Sequence, residues 1–416
     1  MTSIDTTIDY TQNQPKRDAF AQKFMKAVKQ NGILHSMTYD RDRFNIVVDT
    51  PSGRLTQNLG NAYKEYQTVY GKARDRVLKN YVLGLKKALS INDWRSTPFA
   101  EIRKRLRPLI RSKILTENER YDFKGDDPSQ FKPTPRQLFS SDANVLLGCD
   151  MGRTIKQVEQ AMLDHWGLTF AEALGIAMKN LAAVSRPIFK EVTSGVFAGA
   201  WNDYHDSARL LMPELFAECR GIADPVIMIP TAERIYVTDK SNKKGLLDML
   251  RGVGNMVSAS LKIISTQMYH FVDGRPTQYE PEDSQVLLSL NMIRKPQLQA
   301  YAEQQKKIVE DYLIRTDNWA YIMSLQIFEN KEDGGTASVS IWSDDQETIF
   351  PEADLIAVSK IVEKTNEGYI VRNDPVLPWH EVIEKYGHRL QKLEGFPNLY
   401  RVAPFSGESP ALAEAA

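Results

Sequence analysis

Apolar residues in this chain switch repeatedly between the four-residue spacing of a helix face and the short runs of a strand. That alternation restricts the fold more than any other feature. Phe20, Phe24 and Val28 recur every four residues, with Lys16, Lys23, Lys26 and Lys29 on the more polar side, which predicts an amphipathic helix opened by Pro15 and closed by Asn31-Gly32. Short extended stretches follow at Ile33 to Tyr39, Phe44 to Val48 and Leu55 to Leu59. A helical segment then covers about 61–90, with Val77, Tyr81, Val82, Leu85 and Leu89 as its apolar stripe. Ala143 to Cys149 reads as a buried strand with two helices after it, about 154–166 and 169–184. Further on, 204–221 and 243–260 read as helices, strands are expected at 225–229 and 234–238, and a hairpin turns at Asp273-Gly274-Arg275-Pro276. After Pro281 a charged helix at about 295–314 is followed by strands near 319–329, 337–342, 354–360 and 398–402. Helices and strands interleave without a repeat. The expected class is α+β, with mixed helices and short strands in two domains, the core domain holding a buried sheet flanked by helices.

A chain of 416 residues is long enough for two domains, each with its own core. The expected layout is a flexible arm at 1–14, an α+β core at 15–281, a C-terminal α+β domain at 282–403 and a frayed tail at 404–416. Residues 115–142 have no clear period and contain three prolines. They read as a connector that would subdivide the core into 15–114 and 143–281.

Cys149 and Cys219 sit in apolar surroundings and are too few for a disulfide framework or a thiolate zinc site. No charged leader runs into an apolar stretch at the N-terminus, and no apolar run approaches the ~18 residues of a membrane span. The expectation is a cytoplasmic protein with no membrane partner. The six histidines are scattered, so no metal site is expected, and whether any other cofactor is used is left open by the sequence. Gly252-Val253-Gly254 lies inside a helical pattern and reads as helix packing rather than a phosphate loop. No catalytic residue is assigned.

One block is denser in polar groups. Asn202, Asp203, Tyr204, His205, Asp206, Ser207 and Arg209 crowd into eight positions at the start of a helix. A carboxylate pair there suits a divalent cation or acid–base work. The plainer reading has Asp203 capping the helix and Arg209 pairing with Asp206 on its surface. Asp150 and Arg153, at the end of the buried strand, form the second candidate, since α/β proteins place ligands at strand ends. Asp and Gly at a turn explain that block equally well.

Several blocks, in this order, resemble a known family. They are Pro108 to Ser112, Ala143 to Gly152, Trp201 to Leu211, Ile227 to Pro230 and Val237 to Asp239. Together they are similar to the YtpQ-like family of uncharacterised bacterial proteins, over roughly residues 15–281. The resemblance implies a cytosolic bacterial α+β protein and no activity, because the family is a domain of unknown function. Its polar blocks correspond to Asp150, Gly152, Asn202, Asp203, Tyr204, Ser207, Arg209 and Asp239, which adds Asp239 to the candidate ligand-binding residues. This chain departs from the family in its longer 115–142 loop and in about 135 extra residues after Pro281.

Lys+Arg and Asp+Glu both total 53, yet residues 1–140 carry +11, 141–280 carry −2 and 281–416 carry −9. Residues 72–113 alone hold 13 basic against 3 acidic residues. Lys72, Arg76, Lys79, Arg103, Lys104, Arg105, Arg107 and Arg111 are the candidate patch for an acidic partner. Three functions are open. The first is a non-catalytic binding or regulatory module with a protein partner. The second is a metal-assisted hydrolase or transferase on a phosphate-bearing substrate, using Asp150, Asp203 and Asp206. The third is nucleic-acid binding through the basic N-terminal third, with the 72–113 segment as its most basic part, where Tyr63, Tyr66, Tyr70, Tyr81 and Trp94 interleave with cations; a helical stripe in the core or at a domain contact explains the 63, 66, 70 spacing as well. The basic and acidic ends of the chain also suit contact with each other.

Overall fold

The computed structural model describes residues 10–404 apart from 42–43, 51–52, 92–97, 124–127, 152–154, 202, 220, 260–261, 330–334, 344–345, 366–367 and 373–375. The fold is α+β. The chain divides into two compact units, residues 1–107 with 147–180, and residues 108–146 with 181–416. The boundary expected at 281 lies inside the second unit.

The first unit begins with helix α1 (Tyr10–Gln30) and an antiparallel meander of β1 (Met37–Asp40), β2 (Asn45–Thr50) and β3 (Gly53–Asn58). Helices α2 (Gly60–Thr68) and α3 (Lys72–Ile91) follow. Helix α1 starts five residues before Pro15, within the expected arm. Proline there gives up its own N–H bond and crowds the carbonyl four residues earlier, a disturbance confined to the first turns of the helix. The expected stripe forms the core: Phe20, Phe24 and Val28 of α1 pack with Ile46 and Val48 of β2 and with Val77, Tyr81, Val82 and Leu85 of α3.

The rest of this unit holds α4 (Phe99–Arg103), the second half of β6 (Ala143–Asp150), β7 (Ile155–Gln157), α6 (Gln160–Trp166) and α7 (Phe170–Ala182). Its core joins Ile102, Leu147, Cys149, Met162, Leu163 and Ala177. Gly167 ends α6 at φ 65°, the left-handed region that a helix C-terminus assigns to glycine.

In the second unit, β4 (Leu106–Ser112) leads into residues 113–142, which do not form an open connector. They hold α5 (Glu119–Asp122) and β5 (Gln137–Leu138), and Glu119 accepts from both the N–H and the hydroxyl of Thr134, at 2.9 and 2.6 Å. A six-stranded sheet follows, in the order β13-β12-β10-β11-β9-β8. Its strands are β8 (Phe189–Thr193), β9 (Val196–Gly199), β10 (Pro225–Thr231), β11 (Arg234–Asp239), β12 (Met268–Val272) and β13 (Arg275–Tyr279). The short α8 (Glu214–Ala217) precedes β10, and α9 (Lys243–Ala259) packs with the sheet. Helix α10 runs from Ser284 to Arg315, opened by Asp283, whose carboxylate accepts from the Gln285 and Val286 N–H groups. It begins eleven residues before the expected start because Pro296 sits in its interior, where the sequence suggests a boundary. Within the Gly-Val-Gly segment it is Val253 that packs, buried with Val286, Leu290 and Ile293 of α10, while a Cβ at Gly254 would only touch Ile293 at 3.7 Å and one at Gly252 would meet open space.

The C-terminal part has two sheets. One is ordered β14-β17-β22-β21, from Tyr321–Ile322, Thr348–Pro351, Leu399–Val402 and Gln391–Leu393. The other is ordered β15-β16-β18-β19, from Gln326–Glu329, Thr336–Ser343, Leu355–Thr365 and Gly368–Arg372, with β20 (Val376–Pro378) on β18. Trp342, Phe350, Ile356 and Val382 of α11 (Trp379–Tyr386) fill its core.

Candidate functional site

The 203–209 block forms a closed clamp. Trp201 donates its indole N–H to the Arg186 carbonyl at 2.7 Å and lies edge-on to Phe189. Gly199 makes room for it, because a Cβ there would collide with the Trp201 ring and Ile235. Arg209 stacks over that ring, 4.5 Å from its centroid. Its Nε donates to Ser185 Oγ at 2.8 Å, and Nη1 and Nη2 donate to Asp203 Oδ1 and Oδ2 at 2.8 and 2.7 Å. The Arg209 side chain is fully buried, whereas Asp203 remains 37% exposed. Burial pushes the Asp203 carboxyl up, but the guanidinium's hydrogen bonds and charge outweigh it and hold Asp203 below the ordinary range.

The expected Asp206–Arg209 surface pair therefore does not form. The segment is a short 3-10 helix, Ser207–Leu211, entered through Tyr204 at φ 65°, and this tight entry returns Asp203 to Arg209 while Asp206 and Ser207 go into the interior. Tyr204 is half-buried. Asn202 and Arg153 lie outside the described residues. Asp150 closes β6 half-buried, its N–H donating to the Arg105 carbonyl at 2.8 Å. It belongs to the first unit, Asp203 and Asp206 to the second. Among the described residues no group of three or more His, Cys, Asp or Glu side chains is placed to hold a metal ion.

Asp239 anchors a turn. Its Oδ2 accepts from the Ala223 and Asp224 N–H groups at 2.7 and 3.1 Å, and its Oδ1 accepts from the N–H and hydroxyl of Ser241 at 2.9 and 2.6 Å. Burial raises this carboxyl, yet the hydrogen bonds prevail and hold it at about 2. An open depression of about 560 Å³ adjoins it, with Asp224, Lys240, Tyr279 and Glu282 among its walls.

A second buried polar network was not expected from the sequence. Asp142 is buried and accepts from Ser140 Oγ (3.0 Å), Ser265 Oγ (2.9 Å) and the Thr266 N–H (3.0 Å). The Tyr269 hydroxyl lies 2.7 Å from Ser265 Oγ and donates to Ser140 Oγ at 3.0 Å. Burial raises the Asp142 carboxyl above the ordinary range despite these donors and the nearby Arg294 charge. The sequence signal was faint: a Ser-Ser-Asp turn whose partners stand more than 120 residues away.

The cationic residues present the most open chemistry. On α3, Lys72, Arg76, Lys79, Lys86 and Lys87 are exposed, and on α1 so are Lys16, Lys23, Lys26 and Lys29. Asp75 is the one exposed carboxylate among the described residues of the two helices. Asp18 does not offset the charge, because Arg41 binds it at 3.0 Å and the Tyr39 hydroxyl donates to it at 3.0 Å. Two contacts tie the helices together. Lys23 of α1 donates to the Tyr66 hydroxyl at 2.8 Å, while Arg74 of α3 stacks 4.9 Å over the same ring. Further along, Lys86 reaches the Asn31 carbonyl at the end of α1. The two helices thus run in the same direction, with their basic rows side by side. Of the other patch residues, Arg103 at the end of α4 and Lys104 and Arg105 after it are exposed. Arg107 donates to the Lys104 and Leu106 carbonyls. Arg111 falls in the second unit and bonds the Ile110 carbonyl, and burial pulls its guanidinium down to about 10.

No family model matches the chain, and no solved structure matches it. The chain is 24% identical over 110 residues to a protein of Listeria monocytogenes serotype 4a (strain HCC23) described as a "UPF0354 protein". That stretch covers 26% of this chain and 41% of the Listeria protein. The description names no activity. No helix among the described residues is long and apolar enough to cross a membrane.

Proposed function

We propose that this is a non-catalytic binding module that takes an acidic partner on the outward face of α1 and α3. The observation that supports it is the pair of parallel helices whose exposed positions carry nine Lys and Arg against Asp75. The polar blocks marked out in the sequence are committed elsewhere: Asp203 neutralises Arg209, and Asp239 holds the 223–241 turn. The YtpQ-like resemblance over 15–281 belongs to this reading and supplies no activity. A cytoplasmic setting belongs to it as well, since two buried free thiols are the ordinary state of a reducing compartment.

The test exploits the formal net charge of zero. A chain with no overall charge is retained on a phosphate-bearing resin only through a local face. The intact protein is expected to bind such a resin at low salt and pH 7.5. The triple variant Lys26→Gln/Arg76→Gln/Lys79→Gln is expected to flow through. Identical elution of the two proteins would overturn the proposal.

A further inference from the structure

We infer that the acidic partner of the α1/α3 face is the sugar–phosphate backbone of double-stranded nucleic acid, bound without sequence preference. This rests on the binding reading above. Four observations select a duplex over other acidic partners.

The first is outline. From Lys72 to Lys87 the α3 row extends roughly 22 Å at 1.5 Å per residue. The α1 row lies beside it at the ~8–10 Å spacing of packed helices. Two neighbouring rows of cations make a long positive strip, which suits a rod of closely spaced phosphates better than a single anionic group.

The second is the absence of an apolar anchor. A membrane-surface helix needs an apolar face to insert. The apolar faces of α1 and α3 are already in the core, through Phe20, Phe24, Val28, Val77, Val82 and Leu85. Protein interfaces concentrate their energy in buried aromatic or aliphatic anchors. Among the described residues of α3 the one exposed large apolar side chain is Leu83, at 42% exposure; Tyr70, before α3, and Leu34, after α1, are more exposed still but stand apart, outside the two helices.

The third is the state of the aromatics. Single-strand binders stack bases on open rings. Tyr66 is taken by Lys23 and Arg74, which leaves Tyr70, with Arg74 5.3 Å from its centroid on one side, as a single open ring. No row of open rings is presented by the described residues of this face.

The fourth is chemistry. Eight of the nine exposed cations are lysines, compact ammonium charges that lack the planar fork with which arginine reads guanine, and contacts to phosphate fix a protein without carrying sequence information.

The test is fluorescence anisotropy with the full chain and four probes: a 24-base-pair DNA duplex, a duplex RNA of the same length, a single-stranded DNA and vesicles of mixed neutral and anionic lipid. Each probe is titrated between 50 and 200 mM salt. Engagement of about five phosphates gives a slope of log K against log salt near −4.5. The triple variant Lys26→Gln/Arg76→Gln/Lys79→Gln should lower the steepness by about 2.7 and weaken binding at least tenfold, with an unchanged circular dichroism spectrum. A control variant, Lys244→Gln/Lys307→Gln/Lys392→Gln, removes three exposed charges from the second unit and should leave both unchanged. Binding of both duplexes with the same salt slope and the same sensitivity to the variant supports the proposal, whichever of the two is held more tightly. Retention of vesicles or single strands, but not duplexes, would overturn the duplex assignment while leaving the binding face intact. Loss of nothing in the triple variant, or binding of no probe at 50 mM salt, would overturn both.

Discussion

Replacing Asp203 with alanine isolates the Arg209 clamp. The substitution strips two of the three hydrogen bonds from a guanidinium whose side chain is fully buried. Breaking a buried ion pair by deleting one partner costs ~3–5 kcal/mol, because the other charge stays buried without compensation. Asp203 is 37% exposed, so water enters part of the vacated volume and rehydrates Nη1 and Nη2. That places the loss near the bottom of the range, about 3 kcal/mol. Asp203→Asn keeps one acceptor and should lose about half as much. Arg209→Met removes the buried charge while keeping an unbranched chain on Trp201, and the exposed side of Asp203 is free to hydrate, so its cost should be ~1–2 kcal/mol. The double variant Asp203→Ala/Arg209→Met should then be more stable than Asp203→Ala alone. Urea unfolding followed by far-ultraviolet circular dichroism reads all four variants as midpoint shifts at constant slope. The loss should appear in the transition of the unit that contains residues 181–404. Asp203→Ala within ~0.5 kcal/mol of the parent, or a double variant less stable than Asp203→Ala, would refute a clamp built on charge compensation.

The Asp142 carboxyl, raised by burial, binds its proton more tightly in the folded than in the unfolded chain. Its stabilising contribution is therefore complete below the unfolded value of about 3.9 and declines as pH rises through the folded value. The stability gap between the parent and Asp142→Asn should narrow from pH 4 to pH 7, and a gap that widens would contradict the assignment. Asp239 runs the other way. Held at about 2, it contributes fully above the unfolded value and loses that contribution as pH falls toward 2, so Asp239→Asn should flatten the acid limb of the unfolding profile. Burial pushes the Cys149 thiol up to about 12 and the Cys219 thiol up to about 11. Neither should react with a disulfide reagent at pH 8 until denaturant is added, and labelling of the native protein at the unfolded rate would rule out this burial.

The parts of the fold that were legible in the sequence are those whose signal is local. The Phe20, Phe24, Val28 stripe and the Val77 to Leu85 stripe each repeat along one helix and meet in one core. The run from Ala143 to Cys149 is apolar apart from Asn144 because those residues of β6 are buried. The turn at Asp273-Gly274 sits where the hairpin of β12 and β13 reverses, with both residues at positive φ. What escaped needed a distant partner or an irregular backbone. Asp142 gives no hint of its role until Ser265, Thr266 and Tyr269 arrive from far along the chain. Three-residue spacing favoured an Asp206–Arg209 pair, and the positive φ of Tyr204 cancelled that geometry. The basic rows were only half visible, because nothing in the sequence states that α1 runs beside α3.

The division of the chain bears on the order in which the molecule is made. Neither unit is a continuous segment, since the chain changes unit at 107/108, 146/147 and 180/181. The first unit is incomplete until residue 180 has been synthesised, and the second until the C-terminal sheets exist. The core beneath α1 and α3 is the exception, for its buried members run only from Phe20 to Leu85. During vectorial synthesis that core has all its parts before the second unit has begun, and its pairings close over short loops. The surface proposed to bind a partner therefore has its whole core in hand before any residue of the second unit is made. Nascent chains arrested after residue 130 should already protect Phe24 and Val82 from proteolysis.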